Sequence, residues 1–327
     1  MRTGSKVFAA IALTCVLAAP LYAQEFPGRR PIEMTVMFGP GSAADVTARR
    51  LADGMAKDMN ATIPVINRTG AGGALGYGYV SRQQPDGHSI VWNSNSISTT
   101  YHMGLLPFDY TAFEPVARAS VETPVIVVRA DAPWKTLSQL LDHAKKNPDA
   151  LRVGNSGTGS HTHFAATALF IKGGAKAIDV PFGDGQAVIN LLGDRIEAVV
   201  QLPAAVVAQV QSGELRVLAA LGSKRDPVFP DVPTARELGY DIALDMWRGI
   251  AVPKGTPKPV IARLQAAIQR TVESPEFKQA GETLGFTPAY LPADAFAELI
   301  ASDDRKLAQL MSQLGMKKTG TSGAATE

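Results

Sequence analysis

Two stretches of small residues stand where chemistry is possible. The first, Phe38-Gly39-Pro40-Gly41-Ser42-Ala43-Ala44-Asp45, follows an alternating apolar run (Ile32, Met34, Val36, Phe38) and precedes Val46, Ala48, Leu51, Met55 and Met59 at helical spacing. The second, Asn155-Ser156-Gly157-Thr158-Gly159-Ser160, follows a strand pattern at residues 151–154 and runs into a helical one at 162–171, with Phe164, Ala168 and Ile171 on one side. A loop that hands a strand over to a helix N-terminus presents backbone N–H groups without helical partners, and residues without bulk let an anion reach them. Serine hydroxyls add adaptable donors. Each loop therefore reads as half of an anion-binding cleft.

Other chemistries fit the same residues less well. His161 and His163 form a His-x-His pair with Asp184 as a conceivable third ligand, but side chains at i and i+2 of a helix diverge, so no metal is expected. Ser156 or Ser160 with His163 and an acid imitates a hydrolase, yet no G-x-S-x-G nucleophile elbow is present. Gly39-x-Gly41-x-x-Ala44 satisfies the loose dinucleotide fingerprint in the right strand-to-helix context. The next strand, however, ends in Ile66-Asn67-Arg68 with no acid for a ribose. No cofactor is expected. Asp45 reads either as a helix cap or as a contact to a ligand donor, since an acid beside an anion site opposes binding while an acid in a first helical turn favours the helix. Ser160 likewise reads as an N-cap of the following helix. Among the aromatics Trp92, Tyr101, Trp134, Phe182 and Trp247, the last two are the better cleft candidates, one after a strand end and the other near a chain crossing.

The elements that must position these loops lie downstream of a leader. Arg2 and Lys6, an apolar run at residues 7–19 and a small residue at Ala23, with no acid before Glu25, form a secretory signal peptide expected to be cleaved after Ala23. The run is too short to span a bilayer. Cys15, the only cysteine, leaves with it, so the mature chain relies on its core rather than on disulfides. The formal charge of +2 comes from Arg2 and Lys6, leaving a near-neutral mature protein and no basis for a nucleic-acid partner. Export also argues against ATP and NAD chemistry.

Strands at 61–66 and 89–92 with a helix at 75–83 between them continue the opening unit, which predicts a parallel sheet whose carboxyl edge carries the loops. Strands at 114–119 and 124–129 follow, the second leaving the first domain. Then the pattern restarts: helix 137–146, strand 151–154, helix 162–171, strand 177–181, helix 187–192, strand 196–202, helix 206–211 and strand 215–221. A strand at 246–252 returns the chain, Pro257 opens a helix as an N1 proline, and helices at 275–284 and 293–314 complete the fold. Two crossings, near Val125 and Gly249, form a hinge suited to a cleft that closes on a ligand.

The quoted stretches, together with Phe26-Pro27-Gly28-Arg29-Arg30-Pro31-Ile32, Asn67-Arg68-Thr69-Gly70-Ala71-Gly72-Gly73, Pro85-Asp86-Gly87-His88, Val180-Pro181-Phe182, Leu191-Leu192-Gly193, Phe229-Pro230-Asp231-Val232-Pro233-Thr234 and residues 247–257, resemble the Bug or TctC-like solute receptors of tripartite tricarboxylate transporters. The resemblance covers almost the whole mature chain, with the motifs in the right order. It implies a periplasmic trap that binds small carboxylates and delivers them to membrane permease subunits. By position it implies that Phe38, Gly41, Ser42, Ala43 and Asp45 on one side, and Ser156, Gly157, Gly159, Ser160 and His163 on the other, hold the ligand, partly through ordered water. Charge-assisted hydrogen bonds of roughly 1.5–3 kcal/mol each support micromolar capture, about −8 kcal/mol, after ordering costs. The chain departs from the family in its first loop, where Ser42 adds a hydroxyl. It departs again after Val180-Pro181, where Phe182, Gly183 and Asp184 stand in place of an aromatic, a lysine and a small residue. An acid in place of a cation suggests a ligand with a positive or hydrogen-donating group as well as a carboxylate.

The expected fold is thus α/β, a two-domain periplasmic-binding-protein-like Venus flytrap with the second domain inserted in the first. Residues 1–23 form the signal peptide, 24–125 and 249–316 domain 1, 126–248 domain 2, and 317–327 a disordered tail. The expected function is carriage of a carboxylate by a monomeric, non-catalytic receptor. A ligand-presenting component for a two-component kinase and an exported α/β enzyme are the alternatives.

Overall fold

The computed structural model describes residues 26–183 and 185–317. The expected leader, Asp184 and all of the expected tail except Lys317 lie outside the described residues.

The first half begins with β1 (Glu33–Val36), α1 (Ala43–Met59), β2 (Val65–Asn67), α2 (Ala74–Val80), β3 (Ser89–Ser94) and α3 (Ser96–His102). β1 pairs in parallel with β2 on one side and β3 on the other, as βαβ units require. α1 turns Ala44, Ala48, Leu51, Ala52, Met55 and Met59 into the core beneath this sheet. β4 (Phe113–Glu122) then runs in the same sheet and β5 (Val125–Arg129) in another, so the chain changes sheets at Thr123-Pro124.

The second sheet takes the order β7-β6-β8-β5-β9. It is built from α4 (Leu137–Lys146), β6 (Arg152–Asn155), α5 (His161–Lys172), β7 (Ile178–Pro181), α6 (Ala187–Leu192), β8 (Ala198–Gln201), α7 (Val207–Gln211) and β9 (Leu215–Ala220). The chain rejoins the first sheet in β10 (Met246–Pro253), antiparallel to both β3 and β4. Gly249, where the return crossing was expected, is therefore inside a strand, and the crossing lies before Met246. α8 (Lys258–Glu273), α9 (Pro275–Leu284), β11 (Thr287–Pro292) and α10 (Ala293–Gln313) follow. The first sheet reads β11-β4-β10-β3-β1-β2.

α10 is not confined to one core. Phe296 and Ile300 pack beneath the first sheet, whereas Leu307 and Met311 pack into the core of the second. Between them Asp303 accepts from Asn95 Nδ2 at 2.5 Å and from Trp247 Nε1 at 2.9 Å, and Asn95 Oδ1 accepts from Trp247 N at 3.0 Å. The helix is thus tied to the start of β10, next to the return crossing.

Candidate functional site

The first loop is held by its own chemistry. Gly41 adopts φ +77°, the left-handed region glycine enters without a Cβ penalty. Ser42 caps α1 in extended geometry, its Oγ accepting from Asp45 N at 3.3 Å. Asp45 reaches back, Oδ2 accepting from Gly41 N at 3.0 Å and from Arg49 Nε at 3.2 Å, while Oδ1 accepts from Arg49 at 2.8 Å and Asn67 Nδ2 at 2.9 Å. Burial alone would push this carboxyl up, but the bonds from Arg49, Asn67 and Gly41 prevail and hold it below the ordinary carboxylate range. Both oxygens are committed to partners in the loop, in α1 and at the end of β2, so the geometry is that of a clamp on the α1 start.

The second loop repeats the plan. Ser160 caps α5, its Oγ accepting from His163 N at 3.2 Å, and Ser156 N donates to Thr162 Oγ1 at 2.9 Å. His163 Nδ1 accepts from Gly159 N at 3.2 Å, which leaves Nε2 facing Asp179 at 3.5 Å. Burial pushes His163 down against the pull of Asp179, so the ring is a neutral brace. Asn155 Oδ1 accepts from Gly157 N at 2.9 Å, and Asn155 Nδ2 donates to Asp179. His161 turns elsewhere, with Nε2 against Leu244 O at 3.3 Å.

Between the loops lies a narrow, nearly closed cavity lined from both sheets, with about 10 Å³ free, room for about one water. Phe38, Ser42, Ala43, Ser156 and Ser160, all expected from the sequence, line it. Ala44 joins them, as do Ser96, His161, Thr162, Gln201, Leu202, Met246 and Arg248. Gly41, Asp45, Gly157, Gly159 and His163 shape the two loops without lining the cavity. Phe182 packs with the core around Val188 and Val199, and Asp184 lies outside the described residues. Trp247, expected at the cleft, instead stands edge-on to Phe296 at 5.1 Å in the first core. Trp92 is fully buried in that core, Tyr101 packs at its margin, and Trp134 packs on His143. Two larger grooves, one lined by Phe170, Ile171 and Lys176 and the other by Arg50, Lys57 and Arg270, each draw on one half of the molecule.

The cavity is electropositive by construction. Asp45 N and Val46 N at the start of α1 are taken by Ser42, and His161 N, His163 N and Phe164 N at the start of α5 by Ser96 and Ser160. Among the described residues no hydrogen bond occupies the N–H groups of Ala43, Ala44 and Thr162, all on the cavity wall. Two helix N-termini thus converge on one space, and each carries the positive end of a macrodipole. Ser156 Oγ donates to Gln201 Oε1 at 3.1 Å, which directs the Gln201 amide as a further polar group at the wall. At the floor, Arg248 Nε donates to Glu122 Oε1 at 2.9 Å. Burial raises the Glu122 carboxyl against the pull of Arg248. Arg248 Nη1, Glu122 Oε2, Ser120 Oγ and His161 Nδ1 are buried without partners among the described residues.

Ser96, Gln201 and Arg248 were not singled out by sequence reasoning. Arg248 sits within the stretch 247–257, directly after Trp247. Strand alternation was the available signal: Met246 and Arg248 share the face opposite to Trp247.

The halves touch around this space. A Cβ on Gly72 would lie 2.7 Å from Ser160 N and closer still to Thr158 O, and Thr99 Oγ1 donates to Gly159 O at 2.6 Å.

Comparison with known proteins agrees with this architecture. The family model described as "Tripartite tricarboxylate transporter family receptor" matches residues 47–316. The Bordetella pertussis protein BugT is 31% identical over 310 residues, 93% of this chain and 95% of BugT. Among solved structures, periplasmic binding protein BugD superposes with a TM-score of 0.84 at 31% identity, covering 88% of this chain and 98% of that one. MatC from Rhodopseudomonas palustris with bound malate gives 0.79 at 27% identity, covering 86% and 98%.

Proposed function

This chain belongs to the tripartite tricarboxylate transporter receptor family, and from that premise we propose that it is an exported, periplasmic receptor for a small carboxylate. In this reading the ligand lies in the cavity between the two sheets and is passed to the permease subunits of a tripartite tricarboxylate-type transporter. The carrying observation is the convergence of the α1 and α5 N-termini on one cavity, with the Ala43, Ala44 and Thr162 N–H groups unoccupied. A carboxylate satisfies such donors where a neutral ligand leaves their dipoles uncompensated. The bound malate of MatC is a ligand of this class. The two halves, joined by Thr123-Pro124 and by the segment before Met246, open and close around the cavity. The work is capture and release, with no bond made or broken.

Mass spectrometry of small molecules released from the purified protein, followed by thermal shift with the identified acid and its amide, tests this. Stabilisation by the acid and not by the amide is expected. Equal stabilisation by both, or turnover of the bound compound, overturns the reading.

A further inference from the structure

The sequence of α3, Ser-Ile-Ser-Thr-Thr-Tyr-His, is rich in short hydroxyl side chains, and Ser96, Ser98, Thr99 and Thr100 are all buried. A hydroxyl taken out of water must find a partner. Thr100 finds one in its own helix, donating to Ser96 O at 2.5 Å. Ser96 and Thr99 reach across the cleft instead. Ser96 Oγ accepts from His161 N at 3.2 Å, and Thr99 Oγ1 donates to Gly159 O at 2.6 Å. The backbone of the second loop rests directly on α3 and the turn after it, since a Cβ on Gly159 would lie 2.5 Å from Leu105 Cδ1 and 3.3 Å from Thr100 Cγ2. α3 is itself held at both ends. Asn95, the residue before it, bonds to Asp303 and Trp247, and His102, its last residue, places Nε2 3.0 Å from Asp304 Oδ1.

His161 is the first residue of α5, so Ser96 Oγ occupies an N–H group of the helix start that an incoming carboxylate also seeks. The space left between the loops, about 10 Å³, holds about one water, and a carboxylate enters only if the walls part. We propose that α3 is a latch on the cleft. Ser96 and Thr99 hold the two halves shut by direct bonds to the second loop, and Ser96 Oγ stands in for an anion oxygen that must displace it. The inference rests on the receptor reading and adds an internal competitor to it. A carboxylate oxygen bonds the same N–H more strongly than a hydroxyl does, so an anion releases the latch where a neutral compound of the same shape does not. Apparent affinity is lowered by the fraction of molecules that stay latched.

Acetate is the probe, titrated calorimetrically into dialysed wild type, Ser96→Ala and Thr99→Val, with small-angle scattering recorded on the same samples before acetate is added. Ser96→Ala leaves His161 N without its acceptor in the shut form, and Thr99→Val removes the donor to Gly159 O with little change in side-chain shape. Both variants are expected to enlarge the radius of gyration and to bind acetate about three- to tenfold more tightly, the scale of one hydrogen bond. A contact that merely steadied the bound form would weaken binding when lost. Thr99→Ser keeps the donor and is expected to match wild type, which separates the bond from packing. If Ser96→Ala fails to fold, the comparison of Thr99→Val with Thr99→Ser decides. A radius unchanged in the variants, acetate bound equally or more weakly by them, or no acetate binding by any of the proteins overturns the latch. Carboxylate capture is judged separately by the released-acid experiment, which does not depend on α3.

Discussion

Replacing His161 by glutamine removes a titrating group from the cavity wall and keeps a donor near Leu244 O, now 3.3 Å from Nε2. Burial pushes the His161 pKa down from 6.5 to about 4, against the pull of Leu244 O and Asp245. The folded protein therefore refuses a proton that the unfolded chain accepts. Stability from this group is complete above pH 6.5 and is lost as pH falls toward 4, a difference of about 3 kcal/mol. Asp226 works in the opposite sense. Burial raises it from 3.8 to about 6, with Glu122 adding to the rise, so its contribution is complete below pH 3.8 and is lost as pH rises through 6, again about 3 kcal/mol. Between about pH 4 and pH 6 the two slopes nearly cancel in the wild type, and only variants expose them. Urea unfolding across this range is the assay. The stability of His161→Gln relative to wild type is expected to rise by about 3 kcal/mol from neutral pH down to about pH 4. That of Asp226→Asn is expected to rise by a similar amount in the other direction. Parallel wild-type and His161→Gln curves would refute the assignment of a buried neutral imidazole.

Asp45→Ala removes the acceptor for Gly41 N, Arg49 and Asn67 and is expected to cost roughly 2–3 kcal/mol of stability at neutral pH. Because the folded carboxyl lies below 3.8, this contribution is present above that value and disappears as pH falls through the folded one, so the thermal melts of variant and wild type should converge in acid; coincident melts at pH 7 would show the clamp to be idle. Gly72→Ala strains a φ of +63° and drives a Cβ into Thr158 and Ser160 across the cleft. It is expected to enlarge the radius of gyration in small-angle scattering and to weaken ligand binding about tenfold or more, equivalent to ~1.4 kcal/mol; unchanged affinity would argue against closure through this contact.

Where local chemistry specifies local structure, the reading from sequence and the structure coincide. α4, α6 and α9 begin and end where the apolar spacing and their flanking residues place them. Elements missed were those whose local signals point the other way. α3 is Ser-Ile-Ser-Thr-Thr-Tyr-His, poor in helix formers, and all of it but Tyr101 is buried, so packing overrides propensity. β11 carries Pro288 and Pro292 and survives as an edge strand beside β4.

The candidate site divides in the same way. Sequence by itself determined the two strand-to-helix loops and Ser160 as a cap, because a cap acts on an N–H group three residues away and needs no distant partner; at the first helix the cap is Ser42 rather than Asp45. Only tertiary structure decided what those loops face. Ser156 meets Gln201 across 45 residues of chain, and Arg248 meets Glu122 across 126. Strand alternation on β10 then put Arg248 rather than Trp247 at the cavity. Which face of a strand becomes cleft and which becomes core depends on the two sheets that close over it, and that information lies in their packing.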